Sequence, residues 1–183
     1  MSGLEIAAFV IGIFTTVAAI FGMQCKTMRN VILGQLIANI LLGLQYALEG
    51  AFSAAITVPF AIALSLISLL FSLKKRNVPL LVVLLFLVIF TATVIITYKG
   101  LYDLLALGAL FFFVLSITRT KSYAARICTA LNCTFWLIYD ILCAPSAILT
   151  HGVLLGFTVV GIIRLDRKEW CAFFKKKQNN KKI

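Results

Sequence analysis

Seven apolar runs follow one another with almost nothing between them: Leu4 to Met23, Val31 to Leu48, Ala51 to Leu73, Val78 to Tyr98, Leu101 to Thr118, Ala124 to Leu142 and Ser146 to Ile163. Each holds 18 to 23 residues. A helix rises about 1.5 Å per residue, so each run matches a hydrocarbon core about 30 Å thick. The chain is 62% hydrophobic and its mean hydropathy is +1.08, against roughly 45–50% apolar residues in a soluble domain. A soluble globule is excluded, and 183 residues leave no room for a sizeable aqueous domain beside the runs. The expected fold is all-α and integral to the membrane, with seven transmembrane helices and the lipid bilayer as main partner.

Turn signals punctuate the runs at Glu49-Gly50, Asn77 before Pro79, Lys99-Gly100 and Ala144-Pro145. The first cation, Lys26, lies behind the first apolar run, whereas a secretory signal carries its positive charge ahead of that run; the first helix is expected to be retained.

The net charge of +11 would suggest nucleic acid in a soluble chain, but its distribution is a topology code and no nucleic-acid partner is expected. Assigning the connections alternately to two sides gathers Lys26, Arg29, Lys74, Lys75, Arg76, Arg119, Lys121, Arg126 and the tail on one side, and leaves Lys99 on the other. The positive-inside rule then puts the N-terminus outside and the C-terminus in the cytoplasm. Glu5, Glu49, Asp103 and Asp140 fall near the outer face. Trp170, Phe173 and Phe174 in the basic tail suit an interfacial anchor.

An internal repeat supplies the architecture. At an offset of 93, Thr27 to Thr57 aligns without a gap on Thr120 to Thr150, with eight of 31 positions identical. The identities include an ordered polar set that apolar composition does not readily supply: Thr27/Thr120, Asn39/Asn132, Tyr46/Tyr139, Ser53/Ser146 and Thr57/Thr150. Helices one to three therefore correspond to helices five to seven, as parallel repeats with a lone fourth helix between them. The expected units are a first three-helix bundle at 1–73, a connector helix at 74–99, a second bundle at 100–164 and a basic cytoplasmic tail at 165–183.

This arrangement resembles the SWEET and PQ-loop fold. The stretch from Gln35 to Ala55, with Gln35-Leu36, Asn39, Leu44, Gln45-Tyr46, Leu48 and Gly50-Ala51, more closely resembles the bacterial inner-membrane YgjV-like family. The chain has no Pro-Gln dipeptide, and only Pro59 of its prolines falls inside a helix, which speaks against sugar as the solute.

Gln35, Asn39, Leu42 and Tyr46 share one face of the second helix, and Cys128, Asn132, Phe135 and Tyr139 are their counterparts on the sixth, with Trp136 beside Asn132. Carboxamides offer both donors and acceptors and aromatic rings offer apolar area, a composition suited to a small polar solute. The expected binding residues are Asn39, Asn132, Gln35, Trp136, Tyr46 and Tyr139. Their alternative roles are interhelical hydrogen bonds for the asparagines and aromatic-belt anchoring for the tyrosines. His151 and Asp140, both towards the outer face, form either a proton-sensing pair or a packed neutral His beside a water-reaching Asp. Pro59 and Gly152 fall on each other under the same offset and soften both third helices, as hinges would.

Enzymatic motifs are missing: no H-E-x-x-H, no G-x-S-x-G and no phosphate-cradling glycine loop. No metal or cofactor is expected, since the five cysteines form no C-x-x-C and there is one histidine. The expected function is alternating-access transport of a small polar metabolite between the two bundles. The competing class is a receptor or scaffold that moves nothing, and a second copy of the chain is a further partner to test.

Overall fold

A segment in contact with lipid must satisfy every backbone N–H and C=O internally, so the apolar runs have the helix as their one open form. The computed structural model describes residues 3–49, 52–98, 100–143 and 148–166, and these hold seven α-helices. They are α1 (Gly3–Gln24), α2 (Met28–Glu49), α3 (Phe52–Leu73), α4 (Leu80–Ile96), α5 (Asp103–Thr118), α6 (Ser122–Cys143) and α7 (Ile148–Leu165). Among the described residues there is no strand. The basic tail beyond Asp166, with its aromatic residues, lies outside the described residues.

Two helices are shorter by two or more residues than the runs that contain them: α4 has 17 residues and α5 has 16. Pro79 is the N-cap of α4, and a residue before proline is held out of the helical region, so Val78 cannot join. At the other junction Leu101 and Tyr102 form a turn, in which the Gly100 N–H donates to Asp103 Oδ2 at 3.1 Å. By length and hydropathy alone three helices qualify as spans, through Ile6–Gln24, Ile56–Leu73 and Ile148–Leu165. The 22-residue helices α2 and α6 have the length but carry Arg29, Gln35, Asn39, Arg126, Asn132 and Asp140. Of these, Gln35, Asn39, Arg126 and Asp140 are buried, while Ile37, Ile40, Leu44, Ile138 and Ile141 of the same helices are exposed.

The helices close into a ring in chain order. α2 packs on α1 and α3, α6 packs on α5 and α7, and the ring shuts where α7 meets α1. On the far side α4 bridges α3 and α5 from outside. Within each trio the middle helix is the shared neighbour, and the first and third helices have little direct contact. Each trio is thus a bent row rather than a triangular bundle.

Apolar side chains face outwards. On α1 the exposed Ile6, Val10, Ile13, Val17 and Phe21 step by three or four residues along one stripe, and α4 exposes Leu81, Leu84, Leu85 and Val88. Inside, Phe86 and Phe90 of α4 pack with Leu64 of α3 and Phe113 and Val114 of α5 to seal the α3/α5 side. The α1/α2 crossing is so tight that a Cβ on Gly34 would sit 2.5 Å from the Gly22 Cα. Where lipid tails remove any hydrophobic drive between helices, such glycine contacts supply the packing.

Candidate functional site

The ring encloses a cavity of about 860 Å³, counting its open mouth, at mid-depth between the two trios. The first trio contributes Thr15, Thr16 and Ala19 of α1, Gln35, Ala38, Asn39 and Leu42 of α2, and Thr57, Val58 and Ala61 of α3. The second contributes Leu110 and Phe113 of α5, Asn132 and Trp136 of α6, and Thr150, His151 and Leu154 of α7. The wall is mostly apolar, with a few converging carboxamides and hydroxyls.

Both asparagines reach this wall, and each is tied to its own trio. Asn39 Nδ2 donates to Ser65 Oγ at 3.3 Å, and that hydroxyl donates to the Ala61 carbonyl at 2.8 Å. Asn132 Nδ2 donates to the Ala109 carbonyl of α5 at 2.7 Å. Neither bond crosses between the trios. Each side chain keeps its carboxamide oxygen and a second N–H beyond these bonds.

Around Trp136 the cavity has a built corner. The indole stacks on the His151 ring at 5.8 Å between centroids and 10° between planes, and Tyr139 meets it edge-on at 5.5 Å. His151 Nδ1 lies 2.6 Å from Asp140 Oδ2, and Asp140 is buried. This contact engages Nδ1, so Nε2 is the remaining polar atom of the ring. The sequence suggested this pair from position alone, and the fold brings it into contact at the cavity edge.

Other expected residues are placed elsewhere. Tyr139 is absent from the cavity wall and packs against Trp136 and Tyr102. Phe135, expected on the same face as Asn132, turns to α5, where it fills the space above Gly108 and meets Phe112. Half of that α6 face thus belongs to the α5/α6 contact. The side chain of Tyr46 lies outside the described residues. Pro59 is inside α3 on its exposed side, and a Cβ on Gly152 would meet only Leu137, at 3.9 Å.

Comparison with known proteins adds one finding. Residues 6–169 match the Imp-YgjV family, described as a bacterial inner membrane protein. The chain belongs to this family. No curated protein and no solved structure matches it.

This Imp-YgjV chain also carries a buried ion pair that sequence reading assigned to topology. Arg126, fully buried, donates from Nη1 to Asp166 Oδ1 at 2.6 Å, from Nε to the Met23 carbonyl at 2.8 Å, and from Nη2 to the Cys25 carbonyl. One guanidinium thus fastens α6 to the end of α1 and to the residue just past α7. A cation at a helix C-terminus also meets the negative end of its dipole. Gln24 Nε2 donates to the Phe157 carbonyl at 2.8 Å on the same seam. The signal was present in the spacing: Arg126, Thr129, Cys133 and Asp140 form one buried stripe of α6, at steps of three, four and seven.

Proposed function

We propose that the protein carries a small polar solute across the bacterial inner membrane by alternating access between the α1–α3 and α5–α7 trios. The observation that carries this reading is the wall of the central cavity. It draws a carboxamide from each trio, Asn39 and Asn132, and a threonine from each, Thr57 and Thr150. Because both Nδ2 bonds stay within a trio, the trios can separate without breaking either. The asparagines then act as paired solute contacts, with Gln35, Trp136 and the His151 ring completing the site.

In this reading the α1/α7 seam, held by Arg126 and Gln24, is the pivot, and the α3/α5 side opens. Pro59 and Gly152 soften α3 and α7 at corresponding positions of two parallel repeats. The basic end of the ring faces the cytoplasm, and the N-terminus of α1 lies outside.

A thermal-shift screen of the purified protein against a metabolite library tests the site. A solute at 100 times its dissociation constant stabilises by about 2.7 kcal/mol. Asn39→Ala and Asn132→Ala should each remove that stabilisation, while losing only about 0.6 kcal/mol of their own stability. Equal stabilisation in parent and variants would take the asparagines out of the site. The same solute should enter proteoliposomes containing the protein. Binding without uptake would favour a receptor or scaffold.

Orientation has its own test. Single cysteines placed next to Glu49 and Lys99, in a background without native cysteines, should react with an impermeant thiol reagent applied to cells. Those next to Lys75 and Lys121 should react only after permeabilisation. The opposite pattern would invert the topology.

A further inference from the structure

A second pocket lies at the basic end of the ring, where α2 begins and α3 and α5 end. It measures about 770 Å³ counting its mouth and shares no wall residue with the central cavity. Four cations from three separate segments converge on it: Arg29 in the first turn of α2, Lys75 and Arg76 between α3 and α4, and Arg119 between α5 and α6. No acidic residue lines it, and among the described residues none of the four is in an ion pair. Its inner wall includes Ile32, Ile117 and Ser68, each 1% exposed. The Ser68 hydroxyl has no hydrogen-bond partner.

We infer that this pocket binds an oxyanion of the phosphate class, either a soluble phosphate monoester or the headgroup of an anionic phospholipid. Topology alone requires positive charge somewhere in a loop. It does not require cations from three separate segments to converge on one pocket whose wall includes a serine with a buried, unpartnered hydroxyl. A phosphate supplies both missing partners, since its oxygens accept from guanidinium forks at the rim and from a serine O–H at the floor. The first turn of α2 adds the positive end of a helix dipole to the wall.

The backbone supports the same assignment. α3 ends in a Schellman motif, with the Arg76 N–H donating to the Phe71 carbonyl and the Lys75 N–H to the Ser72 carbonyl, both at 3.0 Å. The left-handed position of that motif normally takes glycine, yet it is held by Lys75 at φ 52°. A strained backbone retained under a cation that lines the pocket is what a binding role explains. The inference does not depend on transport through the central cavity.

Lys75→Gly separates binding from folding, because glycine suits the backbone better while one cation is lost. The full-length protein is reconstituted in nanodiscs of phosphatidylcholine alone and titrated with inorganic phosphate and glycerol phosphate, reading thermal stability and heat of binding. The parent should bind at least one of the two. Lys75→Gly should be no less stable without anion yet bind about fivefold more weakly, and Arg119→Gln about tenfold more weakly. Ser68→Ala should weaken binding without altering the salt dependence set by the cations.

Nanodiscs containing phosphatidylglycerol then separate the two sources. Undiminished binding of the soluble anion there assigns the pocket to a soluble phosphate. Loss of that binding, together with stabilisation by the lipid in the parent but not in Arg119→Gln, assigns it to a headgroup. If neither anion binds in phosphatidylcholine, and phosphatidylglycerol stabilises parent and variants alike, the pocket is not an oxyanion site.

Discussion

Arg126→Met is expected to lower the unfolding free energy of the detergent-solubilised protein by about 3–5 kcal/mol, as the loss of one partner of a buried ion pair does elsewhere. The cost arises less from the bond removed than from what stays behind. Asp166 is 3% exposed, and its Oδ2 already has no partner, so without the guanidinium its carboxylate is buried and uncompensated. The Met23 and Cys25 carbonyls lose their donor as well. Asp166→Leu should cost less, since Arg126 would keep both carbonyls. The double variant, Arg126→Met with Asp166→Leu, should be more stable than Arg126→Met alone, because it removes the orphaned carboxylate. Chemical unfolding of the four proteins measures this. A double variant that loses the sum of the two single losses would show that the pair is not coupled.

That ion pair also shows where sequence reading stopped. The seven apolar runs located all seven helices to within three residues at every described boundary, since a bilayer fixes both helix length and the punctuation between helices. Arg126 entered the same reading as one basic residue among many in a cytoplasmic connection. Its partner is 40 residues away, so nothing local linked them. The link lies in tertiary packing, where the third helix of one trio returns beside the first helix of the other. Gln35, Asn39 and Asn132, set on matching helix faces by their spacing, line the cavity because a polar face in a membrane turns to protein or to water. Phe135 and Tyr139, on the same stripe as Asn132, pack beside the cavity wall because α6 contacts α5 as well, and one stripe of residues cannot tell the two neighbours apart.

The two seams between the trios differ in chemistry, and the difference bears on movement. At α1/α7 the contacts are polar and directional, with Arg126 and Gln24 reaching backbone carbonyls across the seam. A Cβ on Gly161 would lie 3.1 Å from the Met23 carbonyl, so α7 approaches the end of α1 closely. At α3/α5 the contact is sparse and the shared core includes α4 aromatics, Phe86 and Phe90. Rings can slide over one another at small cost, whereas a buried guanidinium with three partners cannot change them without leaving a charge unpaired. The basic pocket opens beside the looser seam, so an anion held there touches α2, α3 and α5 at once and would resist their separation.

Within the first trio, the tightest contact is the glycine crossing of α1 and α2, and Gly34→Ala should disturb it more than any single methyl group added to the outer surface. The added Cβ would meet the Gly22 Cα at 2.5 Å and the Gly22 N at 2.8 Å. These are backbone atoms, which no rotamer change can move, so α1 and α2 must part along their most extensive contact. Overpacking of this kind costs about 1–3 kcal/mol. Gly156→Ala is the matched control: it lies on the exposed side of α7, where an added Cβ meets nothing within 4 Å. Both substitutions gain the same intrinsic helix preference of about 1 kcal/mol, so the difference between the two variants isolates the crossing. Gly156→Ala should be neutral or slightly stabilising and Gly34→Ala clearly destabilising in the same unfolding assay. Equal stabilities would mean that α1 and α2 can separate freely, and rigid trios moving as units would no longer be a tenable basis for alternating access.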